Sequence, residues 1–156
     1  MFPSFRLRNG LARRRAREAL RTSSFFVKNF NPNWNYKILL CVDDSRATKR
    51  AVIFSTRISK QFSADITSVT VSKTSFFGKG YRNAYLWAER YLNRINITFE
   101  SKLLSGNPVD VFVNEAGENH IIIMGKAKGN EIIKFVMGSK PIHTAQQANC
   151  PVLLVN

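Results

Sequence analysis

The residues best suited to chemistry stand between Ile121 and Lys140, in the run IIIMGKAKGNEIIKFVMGSK. An apolar stretch ends at Gly125, a basic loop follows, and Gly138 and Ser139 stand just before a segment with helical character. Backbone N–H groups at a helix N-terminus are unpaired donors at the positive end of the helix dipole, so that position suits a phosphate. The Ser139 hydroxyl would add a donor, and Lys126, Lys128 and Lys140 would add positive charge. A plainer reading is that Gly125 and Gly129 only shape a surface turn and that the lysines are solvated. The residues alone leave both readings open.

Other candidates are weaker. Asp43 and Asp44 could hold Mg²⁺ together with a nucleotide, because that ion takes one or two carboxylates plus phosphate oxygens; capping of the following helix by Asp44 or Ser45 competes with that role. His120 and His143 have no cysteine, aspartate or second histidine at metal-ligand spacing, so a surface or hydrogen-bonded histidine is the better reading. Cys41 and Cys150 lie in apolar runs, unclustered, which fits small buried hydrophobes rather than a disulfide framework or a zinc site. Phe76 and Phe77, beside Gly78, Lys79 and Arg82, could stack on bases, although a covered apolar loop or a dimer contact is commoner. Two nucleotide motifs are missing. The first strand-to-helix turn holds no glycine, which removes the dinucleotide fingerprint, and no Gly-x4-Gly-Lys-[Ser/Thr] run is present.

The elements that must position these residues follow a regular order. YKILLCV, from Tyr36, is a continuous apolar run, as expected of a strand covered on both faces. Ala47, Ala51, Phe54 and Ile58 recur at helical spacing after it. ADITSVTV is a second strand, Tyr81–Ile95 a second helix, and Asn96–Leu104 a third strand. Residues 106–118 open on Asn-Pro, which suits a helix start, though Val109, Val111 and Val113 weaken the helix. HIIIM is a fourth strand, Lys140–Ala148 a short helix, and CPVLLV a fifth strand. Short apolar strands alternating with amphipathic helices predict an α/β domain, an open five-stranded parallel sheet with helices on both faces. In such a sheet, ligands bind outside the carboxyl ends of the strands near the switch in strand order. The site should therefore be built from Asp43, from Ser72 and Lys73, and from the loop after Gly125.

The 156 residues fit one domain. The net charge of +14 is unevenly spread: residues 1–35 hold eight basic residues and a single acid, Glu18. Such an arm suits an anionic surface, either nucleic acid or acidic lipid. Residues 1–35 are expected to form a basic extension without fixed structure, ending in the turn-rich FNPNWN linker, with the folded domain over 36–156. A cytoplasmic protein is the first expectation; the extension is Arg- and Ser-rich and poor in acids, like an organellar transit peptide, so an organellar location is the alternative. No apolar run approaches the roughly 20 residues that a membrane-spanning helix needs. The short apolar strand Val152–Val155 is expected at a sheet edge, where it invites pairing with a second copy.

Two long stretches carry a family resemblance. ILLCVDDSRATKRAV is similar to the opening strand, Val-Asp-Gly-Ser turn and helix of universal stress proteins. The segment from His120 to Val155 resembles that family's closing third, with Met-Gly before the loop, Gly-Ser after it and Cys-Pro-Val before the last strand. The resemblance covers Tyr36 to Asn156 and implies a flavodoxin-like, adenine nucleotide alpha hydrolase-like three-layer sandwich. It also implies homodimers through the last strand and a regulatory role in stress rather than fast catalysis.

Nucleotide-binding members carry Gly-x2-Gly-x9-Gly-[Ser/Thr]. On that pattern Gly125 is the first glycine, Gly138-Ser139 the closing pair, and the middle glycine falls on Lys128, with Gly129 one place late. The resemblance further implies that Asp43 contacts the nucleoside, that Val71 and Met124 frame it, and that Lys140 joins the phosphate set. Asp44 departs from the family's glycine. A lysine where φ > 0 is required costs about 1–3 kcal/mol. A charge-assisted hydrogen bond from Lys128 to phosphate offsets about 1.5–3 kcal/mol. The expectation is therefore a retained but altered ATP site, with Mg²⁺ entering through the phosphates. The alternative is a nucleotide-free dimeric interaction module that works through its basic arm.

Overall fold

The computed structural model describes residues 23–74, 78–126 and 140–156. Apolar runs become strands, and segments with a 3.6-residue apolar period become helices. In chain order the elements are β1 (Ser24–Phe26), β2 (Lys37–Val42), α1 (Ala47–Phe62), β3 (Ile66–Ser72), α2 (Lys79–Arg94), β4 (Phe99–Ser105), α3 (Pro108–Glu115), β5 (His120–Gly125), α4 (Lys140–Gln147) and β6 (Val152–Val155). The valines do not prevent α3. Asn107 caps it through Oδ1, which accepts from Val109 N–H at 3.1 Å and Asp110 N–H at 3.3 Å, and Pro108 supplies the first turn.

The sheet order is β1-β6-β5-β2-β3-β4. Every neighbouring pair from β6 to β4 is parallel. Alternating side chains give the central strands two buried faces. Ile38, Leu40, Val42, Ile66, Ile123 and Leu153 pack with Ala51 and Val52 of α1 and Ala88 and Leu92 of α2. Leu39, Cys41, Val69, Val71, Ile122, Met124 and Leu154 pack with Phe112 of α3 and Ala145 of α4. This is the expected three-layer α/β sandwich. Packed against the Ile38–Leu40 side of the core from α2, Trp87 stacks on Tyr91 at 5.3 Å between ring centroids, and the Lys49 ammonium lies 5.1 Å from the Trp87 ring.

One strand was not foreseen, and it corrects two expectations. The extension expected to lack structure over 1–35 is folded where it is described: β1 falls within it and pairs antiparallel with β6. The sheet is therefore six-stranded, and β6 is not an edge. The position expected for a second copy along Val152–Val155 is filled by the chain's own Phe25 opposite Leu153 and Phe26 opposite Val152. The FNPNWN segment is an ordered turn. Asn31 N–H donates to the Tyr36 hydroxyl at 2.7 Å, Asn33 N–H donates to Asn31 Oδ1 at 3.0 Å, and Phe30 stacks on Tyr36 at 5.4 Å. The free cysteines Cys41 and Cys150 are both buried, and burial pushes both thiols up in pKa, Cys41 further helped by the Asp43 charge. No helix among the described residues is long and apolar enough to cross a membrane.

Candidate functional site

Strand order reverses between β2 and β5: the chain runs β2 to β3 to β4 on one side, then returns to β5 and β6 on the other. The crevice at the carboxyl ends of these two strands is where an open parallel sheet takes ligands. Asp43 leaves β2 there, Val71 lies one residue from the end of β3, and Met124 and Gly125 end β5.

Asp43 organises the turn into α1. Its Oδ1 accepts from Ser45 N–H at 2.9 Å and from the Thr48 hydroxyl at 2.6 Å, while Asp43 N–H donates to Thr48 Oγ1 at 3.0 Å. Capping by Asp44 or Ser45 does not occur: the residue at the cap position is Arg46, and it makes no side-chain cap bond. The turn into the helix is held instead by the reciprocal Asp43–Thr48 pair, whose hydrogen bonds tie the end of β2 to the first turn of α1. Asp44 points toward α2, where a Cβ built on Gly80 would come within 3.1 Å of the Asp44 Cβ. Next to it, burial and then the charges of Asp44 and Asp43 push the Tyr81 phenol up from its ordinary value.

Gly125 is fixed by packing. A Cβ there would lie 2.6 Å from the carbonyl carbon and Cβ of Ala47 and 2.7 Å from its carbonyl oxygen. The end of β5 thus rests on the first turn of α1, and only a missing side chain permits it. Lys126 N–H then donates to the Val155 carbonyl at 2.6 Å, carrying the β5–β6 pairing one step further. The side chains of Val71 and Met124 are buried together on the α3–α4 face at this end. Lys140 begins α4 and is half-buried. Lys128, Gly129, Gly138 and Ser139 lie outside the described residues, as do Phe76 and Phe77.

Sequence reasoning therefore placed Asp43, Val71, Met124 and Gly125 at one end of the sheet, and the structure brings them there. It missed Thr48, Ala47 and Tyr81, which hold or face that end. The Asp-to-Thr spacing of five across a strand-to-helix turn is the signal that could have found Thr48. His120 is the hydrogen-bonded histidine expected: its Nδ1 accepts from Gly117 N–H at 2.8 Å, and burial, then the Lys37 charge, lowers its pKa. No cluster of metal-ligating side chains occurs among the described residues.

Surface hollows lie at the opposite end. One of about 580 Å³ is lined by Asn33, Trp34, Asn35, Glu118 and Asn119. Another of about 560 Å³ includes Asn29, Phe30 and Asn149. Their walls carry amides, a single acid and the rings of Trp34 and Phe30. Residues 127–139 are not among those described, and the candidate site rests on sheet topology rather than on these hollows.

The model of the universal stress protein family matches residues 35–156. No curated protein matches the chain in sequence. Solved structures of similar fold include universal stress protein UspA from Lactobacillus plantarum, with TM-score 0.60, 16% identity and cover of 79% of this chain and 99% of that one. The universal stress protein of Archaeoglobus fulgidus in complex with dAMP gives 0.59 at 19% identity, covering 78% and 98%. An Arabidopsis thaliana family protein with AMP bound gives 0.53 at 16%, covering 77% and 90%. Likeness at these identities is a likeness of fold.

Proposed function

The chain belongs to the universal stress protein family, and from that premise we propose that it binds an adenine nucleotide, with ATP as the ligand, at the carboxyl ends of β2, β3 and β5. The observation that carries this reading is the seat of Gly125 on the first turn of α1 beside Asp43. It sets the start of the basic loop against the helix start at the switch point. Relatives of the same fold hold AMP and dAMP. In this reading Val71 and Met124 frame the base, and the remaining carboxylate oxygen of Asp43 meets the ribose hydroxyls. Lys128, Gly129, Gly138, Ser139 and Lys140 take the phosphates, with Mg²⁺ held through phosphate oxygens. The protein acts as a nucleotide-responsive regulator in a stress response, in the cytoplasm, and not as a fast enzyme.

Calorimetric titration with ATP and with AMP, each with and without Mg²⁺, tests the proposal. Heat and a thermal shift at about 1 mM nucleotide are expected, a concentration at which even weak complexes register. Silence with all four would sink the reading. Asp43→Asn sharpens it. The amide oxygen can still accept from Ser45 N–H and the Thr48 hydroxyl, so the fold should hold. Affinity should fall roughly tenfold as a charge-assisted bond is lost.

A further inference from the structure

The hollows at the amino end of the sheet carry an inference that does not depend on the nucleotide reading. They share Trp34 and Glu118 and so adjoin as one trough. At about 580 and 560 Å³, each has the size of a small-molecule site. One wall is residues 29–35, and all but the last of these precede the stretch 35–156 that the family model matches. The other wall is Glu118 and Asn119, just before β5, and Asn149, before β6. The trough is thus built largely by a segment outside the family match.

Its chemistry narrows the ligand. Six of the ten residues that line it are asparagine, and among the described residues no lysine or arginine joins them. A phosphate-bearing ligand would call for cations, and a divalent ion for more carboxylates than Glu118. An apolar ligand would strand the amides without partners. A side-chain amide both donates and accepts, and so does a sugar hydroxyl. The side chains of Asn33, Asn35 and Asn119 are exposed and make no hydrogen bond to other described residues. The Glu118 carboxylate adds charge-assisted acceptors.

The rings supply an apolar plane for the C–H face of a pyranose. Phe30 and Tyr36 lie face to face, 7° from parallel, which closes the space between them. Trp34, tilted by 48° against Tyr36 and 40% exposed, keeps ring surface open to the trough. One open plane rimmed by hydrogen-bonding groups suits a sugar ring better than a polyproline helix, which docks in aromatic-lined grooves. The frame is set before any ligand arrives. Asn29 Nδ2 donates to the Asn149 carbonyl at 3.1 Å and Lys37 N–H to the Asn119 carbonyl at 2.9 Å, tying one wall to the other. Little ordering cost then falls on binding.

We propose that this trough binds a neutral oligosaccharide. Trp34 stacks on a pyranose face, and Asn33, Asn35, Glu118 and Asn119 bond the ring hydroxyls.

Nuclear magnetic resonance on the full chain tests it. The probes are maltotriose, cellotriose, mannotriose and chitotriose, each up to about 10 mM, a range that reveals weak complexes. At least one should saturably shift the Trp34 indole N–H and the asparagine side-chain amides, with the Trp87 indole unmoved. Glu118→Gln, at an exposed position, should keep the fold and weaken that binding roughly threefold to tenfold. Trp34→Ala should abolish it. Silence with all four sugars, shifts that both variants leave unaltered, or saturable shifts with an oligoproline peptide and none with the sugars would overturn the proposal. Should Trp34→Ala fail to fold, Glu118→Gln and the wild-type shift map decide.

Discussion

The two ends of the sheet are shaped by opposite means. At the carboxyl end the chain comes together where side chains are small or absent: Gly125 lies on Ala47, and Gly80 lies against Asp44. At the amino end it is filled in by large or polar groups. Before β2, Phe30 stacks on Tyr36 and Trp34 lies tilted against it, the Asn119 carbonyl accepts from Lys37 N–H, and His120 accepts from Gly117 N–H. Contact by subtraction tolerates no added atoms, because backbone cannot move aside as a side chain can. Contact by addition can lose a group and relax. The end at which we propose that a nucleotide binds is thus also the end least tolerant of added bulk.

The largest expected effect breaks the first half of that comparison. Gly125→Ala drives a methyl into the Ala47 backbone, and overpacking of this kind destabilises by about 1–3 kcal/mol or more. Thermal denaturation should show it, at roughly 2–4 °C per kcal/mol for a domain of this size. Asp43→Ala should follow, at about 1–2 kcal/mol, since the helix start loses the acceptor for Ser45 N–H and Thr48. Asp43→Asn should keep most of that stability. At the amino end His120→Ala should cost about 0.5–1.5 kcal/mol, one hydrogen bond.

The pH dependence of that end has a definite sign. The folded state lowers the His120 pKa below its ordinary value of 6.5, through burial first and Lys37 second. The unfolded chain then binds the proton more readily, so stability falls as pH drops below about 6.5. His120→Asn, which can still accept from Gly117, should flatten that acid limb in urea melts taken across pH. The smallest effect is expected at neither end. Lys102 and Glu115 pair at 3.0 Å, both partly exposed, and Lys102→Gln should change stability by less than about 1 kcal/mol, less still in high salt.

Much of this architecture could be read from the chain because the central strands announce themselves. KILLCV and HIIIMG are buried on both faces and so appear as unbroken apolar runs. The helices between them keep a 3.6-residue period. β1 could not be read that way. Three residues have no period to detect, and its partner β6 lies well over a hundred positions away, with Ser23 and Asn156 separated by 133. The choice of Asp43 over Asp44 at the helix start was also hidden, because adjacent carboxylates are equivalent in sequence and only backbone direction separates them. Gly125 was legible as a family glycine, but the reason for it, the Ala47 backbone 2.6 Å from where a side chain would begin, is a tertiary fact.

The indole of Trp87, stacked on Tyr91 under the Lys49 ammonium, has a consequence for optical measurements. The chain holds only one other tryptophan, Trp34, which lines the hollow that also contains Glu118. A cation beside one fluorophore and an anion beside the other should give opposite ionic quenching: iodide drawn toward Trp87, caesium toward Trp34. The molecule thus carries two built-in reporters, one on the outer helix and one a few residues from β1. Emission from Trp34 can follow the N-terminal strand without any label.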